Sequence, residues 1–91
     1  MPFLLDGGYE FREWRIPAHM MESLIAYVND RRPVGHFLTA VLCNDLKEAV
    51  NRADDENLRN LPAYVGYLYN EAPMGCWGSK EKMDEWLDER E

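Results

Sequence analysis

The sequence predicts a mainly α-helical fold, a compact bundle of three to four helices with a short N-terminal β-hairpin or extended arm. Apolar side chains recur at intervals of three and four residues along most of the chain, which is the helical period. Proline and capping residues divide this pattern into segments of helical length. The 91 residues suit a single domain, with residues 1–16 as the hairpin or arm and residues 17–90 as the bundle.

The N-terminal segment has the pattern of short strands. Apolar residues 3–5 precede Asp6-Gly7-Gly8, a turn signal, and Tyr9 and Phe11 then alternate with charged residues. A two-stranded hairpin is marginally stable by itself, so we expect this segment to pack on the helices.

The first helix is predicted to begin at Pro17, because proline suits the first helical position, where its missing N–H is not needed. Residues 29–33 (NDRRP) end it, since the residue before a proline avoids helical geometry. The expected inward side chains are Met21, Leu24, Ile25 and Val28.

The second helix is predicted as one continuous element from about Val34 to Ala53. Its apolar stripe is expected to comprise Phe37, Leu38, Val41, Leu42, Leu46, Ala49, Val50 and Ala53. The opposite, solvent-facing side carries Asn44, Lys47, Glu48, Asn51 and Arg52. Glu48 and Arg52 have the i, i+4 spacing of a favourable helical ion pair.

Asp54 is a good N-cap for a third helix, and Ser79 for a fourth over residues 80–90. Pro62 interrupts the third helical pattern, which predicts a kink or two short helices with a change of axis near residues 60–62. The apolar face of the third helix is expected to contain Leu58, Leu61, Val65, Leu68 and Tyr69, and that of the fourth Met83, Trp86 and Leu87.

The formal net charge of −7 restricts the possible partners. An acidic surface repels phosphate backbones, so we expect no nucleic-acid backbone binding, whereas a basic protein surface would be attracted. We find no apolar run of membrane-spanning length and no pattern of a signal peptide in the sequence. We therefore expect a cytoplasmic location and do not expect the protein to bind a membrane.

Two weak catalytic patterns are present. Asp45 and Glu48 lie three residues apart and would share a helix face, as a carboxylate pair for acid–base chemistry does. Cys76 lies before a helix start, where the helix dipole can lower a thiol pKa. Neither has a recognisable third group, so we predict no catalytic residue, no metal site and no cofactor.

An aromatic and glycine-rich turn over residues 69–79 (YNEAPMGCWGS) is the predicted binding surface, together with polar residues of the second helix. Its rings would stack on a ligand or partner while the polar groups form hydrogen bonds. The predicted site comprises Asn44, Asp45, Arg52, Tyr69, Asn70, Trp77, Gly78 and Ser79. The alternative is a tight interhelical turn that Trp77 anchors on the core.

Five segments of the chain carry a family resemblance. They are RIPxHM at 15–20, GxFLxAVLxNDL at 35–46, RADxxN at 52–57, LYNxxP at 68–73 and CWGS at 76–79, where x is a position outside the likeness. Together they resemble short proteins of unknown activity encoded by bacteriophages and prophages. The first 14 residues carry no such likeness.

The resemblance implies a small phage accessory protein in the host cytoplasm that acts by binding and forms a homo-oligomer. Such a protein would counteract a host defence system, either by inhibiting a host protein or by sequestering a nucleotide-like signal. Two alternatives stay open at this point. One is a structural or assembly protein of a phage complex, and the other is a small enzyme that uses Asp45 and Glu48 or Cys76.

Overall fold

The chain begins with an antiparallel β-hairpin in the computed structural model, which describes residues 2–89. Strand β1 (Tyr9–Phe11) pairs with β2 (Trp14–Ile16), so that Tyr9 lies opposite Ile16. The connecting turn contains Arg12 in the left-handed region, at a φ of 56°. The predicted hairpin is confirmed, although the predicted turn at residues 6–8 lies before β1 and joins it to an isolated bridge between Phe3 and Tyr9.

Helices make up most of the rest of the described residues, so the mainly α-helical fold class is confirmed. Six α-helices and one 3-10 turn lie within residues 2–89. They are α1 (Ala18–Asp30), α2 (His36–Leu42), α3 (Leu46–Arg52), α4 (Asp55–Arg59), α5 (Leu61–Glu71), the 3-10 turn (Met74–Cys76) and α6 (Lys80–Asp88).

The prediction of one continuous helix from residue 34 to 53 is wrong, because the chain breaks between α2 and α3. Asn44 adopts the left-handed conformation with a φ of 62°, which asparagine tolerates better than most residues. The N–H of Asn44 donates to the carbonyl of Val41 and that of Asp45 to the carbonyl of Ala40, at 3.1 and 2.8 Å, as in a Schellman motif. The Asp45 side chain then accepts a bond from the Glu48 N–H and starts α3.

The division near residues 60–62 agrees with the sequence. Helix α4 ends at Arg59, and α5 begins at Leu61 with Pro62 in its first turn, where a missing N–H breaks no helical bond. Asp54 caps α4 and Ser79 caps α6, and both predicted caps are confirmed. The predicted last residue of the final helix, residue 90, lies outside the described residues.

Tyrosine rings fill much of the core. Tyr9, Tyr27 and Tyr64 are fully buried, and each hydroxyl has a hydrogen-bond partner. Tyr27 donates to the Cys76 carbonyl at 2.7 Å, and Tyr64 donates to Asn57 Oδ1 at 2.6 Å. These bonds let bulky amphipathic side chains close a small core without leaving the three buried hydroxyls unpaired.

Several apolar residues predicted to face inward are exposed instead. They are Ile25, Leu46, Val50, Leu58, Val65 and Tyr69. For Leu46 and Val50, the cause is the break at Asn44, which gives α3 a different orientation from the one that a continuous stripe requires. Among residues 2–89, none of the helices combines the length and the apolar character needed to span a membrane.

Candidate functional site

A concave surface lies between α2 and α6, and we call it the α2–α6 groove. Its volume is about 520 Å³, within the range of ligand-binding clefts. Pro33 and Val34 lie at one end, and the first turn of α3 contributes Asp45 and Glu48. The groove therefore combines segments that are far apart in sequence.

The two long walls have the same spacing of residues. One wall is formed by α2 and its C-cap and contains His36, Thr39, Ala40 and Cys43. The other wall is formed by α6 and contains Lys80, Met83, Asp84 and Leu87. Both sets follow i, i+3, i+4 and i+7, so each is a single helix face. The Cys43 and Met83 sulfur atoms approach to 3.5 Å and join the two faces. The groove thus has an apolar floor between two helix faces.

Carboxylates dominate the charged groups that line this groove. Asp45, Glu48 and Asp84 are acidic, and Lys80 is the cation. Lys80 Nζ lies 3.0 Å from the Asp84 carboxylate, and this hydrogen bond raises the pKa of Lys80. Lys80 is therefore charged at neutral pH, and its charge is balanced by that of Asp84. The carboxylates of Asp45 and Glu48 remain, so the groove lining is acidic.

Two predicted site residues, Asn44 and Asp45, lie at the junction of α2 and α3. Asp45 lines the α2–α6 groove, and both residues line a shallow depression beside it that reaches Val65 on α5. The predicted residue Arg52 binds the Glu48 carboxylate through an Nε–Oε2 contact of 2.6 Å, which confirms the i, i+4 pair. Arg52 is thus a neighbour of the groove wall through Glu48.

Tyr69 and Asn70 lie in a different place, a groove between α5 and the β-hairpin that we call the hairpin groove. Its volume is about 490 Å³. Tyr69 is 78 % exposed there. The Arg12 guanidinium carbon lies 5.1 Å from the Phe11 ring centroid in the same groove. This groove joins two predicted site residues to Arg12, which is not part of the predicted site.

The remaining predicted residues, Trp77, Gly78 and Ser79, form the turn into α6. Trp77 is half-buried against the core, and within residues 2–89 its buried indole Nε1 has no hydrogen-bond partner. The Gly78 N–H donates to the Leu42 carbonyl at 2.8 Å, and its φ of 117° favours glycine. Ser79 caps α6. The contacts of this turn are internal, which fits the alternative of an anchored interhelical turn.

The candidate reactive groups are engaged in structural contacts. Cys76 is fully buried, and burial raises the pKa of its thiol to about 11. Burial also raises the pKa of the Cys43 thiol, so both sulfur atoms are protonated at neutral pH. Asp45 caps α3 and Glu48 binds Arg52. Within the described part of the chain, no three histidine, cysteine or acidic residues cluster in a way that would hold a metal ion.

Of the predicted site residues, Asp45 is the one that lines the α2–α6 groove, and most of the lining residues were not predicted. The sequence placed Met83 and Leu87 on the inward face of the last helix, and Met83 is indeed buried while Leu87 packs against the core. It did not show that the same two side chains line a groove. The sequence does contain one indication of the α6 wall. The residues at positions 80, 83, 84 and 87 have the spacing of a single helix face, and that face mixes polar and apolar side chains. Nothing in the sequence shows that α2 supplies the facing wall.

Comparison of the chain with protein families, curated proteins and solved structures finds no match. The case for a function therefore depends on the chemistry of the two grooves.

Proposed function

We propose that this protein acts by binding a protein partner in the α2–α6 groove. The observation that carries the proposal is an apolar floor surrounded by carboxylates and formed by two helix faces. Protein interfaces bury an apolar centre inside a polar rim, and this groove has that arrangement. Acidic groups next to the floor would steer a basic partner surface toward it.

Binding accounts for the groove better than catalysis does. A nucleophile or general base needs a pKa that suits its task, but burial keeps the Cys43 thiol protonated. Asp45 and Glu48 already form a helix cap and an ion pair. These contacts hold the groove wall in place, as a preformed binding surface requires.

The phage resemblance supplies the setting of the proposal. The partner would be a host protein, met in the host cytoplasm and blocked while the groove is occupied. Inhibition of a host defence protein then needs no turnover, because occupancy alone prevents the partner from acting.

A nucleotide-like ligand in the hairpin groove is the second candidate. The observation that favours it is Arg12 beside the exposed ring of Tyr69, since a ring can stack on a base while a guanidinium binds phosphate. Titration of the protein with mononucleotides and cyclic dinucleotides, followed by NMR, tests this candidate. Binding that Arg12→Ala weakens and that the exposed control Arg59→Ala leaves unchanged would support it, whereas no shift at Tyr69 would exclude it.

Site-specific photo-crosslinking in bacterial host cells tests the main proposal. A photo-reactive amino acid replaces exposed His36 at the groove in one variant and exposed Asp55 on α4, outside the groove, in a matched control. We expect one protein partner to crosslink from position 36 and not from position 55. Equal crosslinking from both positions, or none from position 36, would contradict the proposal.

A further inference from the structure

We infer that the segment bound in the α2–α6 groove is a basic amphipathic α-helix of the partner. This inference rests on the proposed function and specifies the chemistry of the occupant. Three properties of the groove support it: the nature of its walls, the apolar content of its floor and the sign of its charge.

The walls favour a helix over an extended strand. An extended peptide gains affinity by hydrogen bonding to an unpaired sheet edge, whereas α2 and α6 satisfy their interior backbone groups within each helix. The lining residues run from position 36 to 43 on α2 and from 80 to 87 on α6. Each face is therefore roughly 10 Å long at 1.5 Å per residue, which matches about two turns of an added helix.

The floor requires apolar anchors on the occupant. Val34, Met83 and Leu87 supply aliphatic surface, and the thioether of Met83 adapts to partners of different shape. A helix that packs across two helix faces presents apolar residues at i, i+3 or i+4, and i+7. Leucine-type side chains at this spacing on the partner would fill the floor.

The charges around the floor select basic flanks. Asp45 and Glu48 lie on the α3 side, and Asp84 lies on the α6 side, so an occupant meets carboxylates on both sides. Lys80 is already bonded to Asp84 and Arg52 to Glu48, which leaves an excess of negative charge. Lysine or arginine beside the apolar anchors would be attracted, and an acidic helix would be repelled.

A designed peptide tests the inference. The probe is an alanine-based helical peptide with leucines at i, i+4 and i+7 and lysines on both flanks. Two controls replace every lysine with glutamate or place one proline between the leucines. Binding is followed by NMR shifts of the intact protein and by calorimetry. We expect the lysine peptide to shift resonances of Ala40 and Leu87 and to bind at least tenfold more tightly than either control.

Charge-reversal variants of the protein provide the matched comparison. Asp84→Lys removes a carboxylate from the groove, whereas Asp88→Lys makes the same change on an exposed part of α6 outside the groove. We expect Asp84→Lys to weaken binding of the lysine peptide at least tenfold and Asp88→Lys to change it less than threefold. Circular dichroism confirms that both variants fold.

The outcomes separate this inference from the proposed function. Equal binding of the lysine and glutamate peptides, or of the lysine and proline peptides, would overturn the inference. So would a partner that crosslinks at position 36 through an acidic or extended segment, although the proposed function would then stand. Absence of both peptide binding and crosslinking at position 36 would overturn the two together.

Discussion

The indole Nε1 of Trp86 donates a 2.9 Å hydrogen bond to the backbone carbonyl of Tyr27 and so fastens α6 to α1. The Arg31 guanidinium lies 3.7 Å from the Trp86 ring centroid, and its Nη1 donates to the Trp86 carbonyl. These contacts position the helix that forms one wall of the α2–α6 groove.

The two tryptophans next to this wall should respond differently to the same substitution. Trp86→Phe loses the bond to Tyr27 and weakens the Arg31 contact, so we expect the free energy of unfolding to fall by about 1–2 kcal/mol. Trp77→Phe removes an indole N–H that is unpartnered within residues 2–89, so the loss should be less than half as large. Urea denaturation measures both values. Equal losses would show that the Trp86 bond adds no net stability.

Gly66 is the position where a single methyl group should disturb the hairpin. A Cβ added there would lie 2.5 Å from ring atoms of Phe11, so Gly66→Ala forces the ring and β1 to move. We expect a cost of about 1–3 kcal/mol from overpacking, offset by up to about 1 kcal/mol from better helix propensity. Thermal denaturation gives the net change.

Gly75 provides the control for this substitution. A Cβ at Gly75 meets nothing within 4 Å, so Gly75→Ala should leave stability nearly unchanged. Adding Phe11→Leu to Gly66→Ala should recover part of the loss, since the smaller side chain relieves the contact. Failure of this rescue would locate the strain elsewhere in α5.

The buried bond between Tyr64 and Asn57 should behave as a coupled pair. Asn57→Ala leaves the Tyr64 hydroxyl without its partner, and we expect a loss of about 1–3 kcal/mol. Tyr64→Phe should cost a similar amount, because the Asn57 side-chain oxygen is then unpaired. The double variant should lose less than the sum of the single losses, as a double-mutant cycle measures. Exposed Asn51→Ala is the control, and strict additivity would argue against the pair.

Stability should fall in alkaline solution, and the buried thiol of Cys76 should contribute to this fall beside the buried tyrosines, whose pKa values burial also raises. The pKa of the Cys76 thiol is raised from 9.0 to about 11 by burial, so folding favours the protonated form. The resulting stabilisation is complete below pH 9, the unfolded pKa, and is lost as pH rises through the folded pKa near 11.

The Cys76→Ala variant isolates this contribution. We expect the decline in unfolding free energy between pH 9 and 11 to be shallower in Cys76→Ala than in the native protein, measured by urea denaturation under reducing conditions. Cys43 is half-buried, so Cys43→Ala should keep most of the decline. An unchanged slope in Cys76→Ala would show that the buried thiol is not responsible.

The helix boundaries that depend only on neighbouring residues were predicted correctly from the sequence. Asp54 and Ser79 cap helices as expected, because a short side-chain oxygen reaches an unpaired N–H whatever the rest of the fold does. Pro62 separates α4 from α5 for an equally local reason. The break at Asn44 was not predicted, because the apolar periodicity of the sequence continues through it. Asn44 and Asp45, which form the left-handed turn and the next helix cap, are also acceptable on the surface of a continuous helix.

The binding surface was harder to predict because it depends on tertiary packing. Asp45 lies in the α2–α6 groove, but Tyr69 and Asn70 belong to the hairpin groove, and Trp77 lies in the turn before α6. These positions follow from how α2, α5 and α6 pack, which periodicity within one helix does not encode. The homo-oligomer remains a prediction, which a measurement of the mass in solution would test. The phage setting also remains a prediction, which capture of a host partner would test.

The bond from the Gly78 N–H to the Leu42 carbonyl joins two parts of the chain that the ribosome makes at different times. The ribosome makes Leu42 well before Gly78, and Tyr27 well before Cys76 and Trp86. The Leu42 and Tyr27 carbonyls, which accept, and the Tyr27 hydroxyl, which donates, therefore cannot form these bonds until the later residues are made. The wall that α6 supplies joins last. A chain that ends before residue 80 would lack the α6 wall and therefore the groove, so we expect it to capture no partner there.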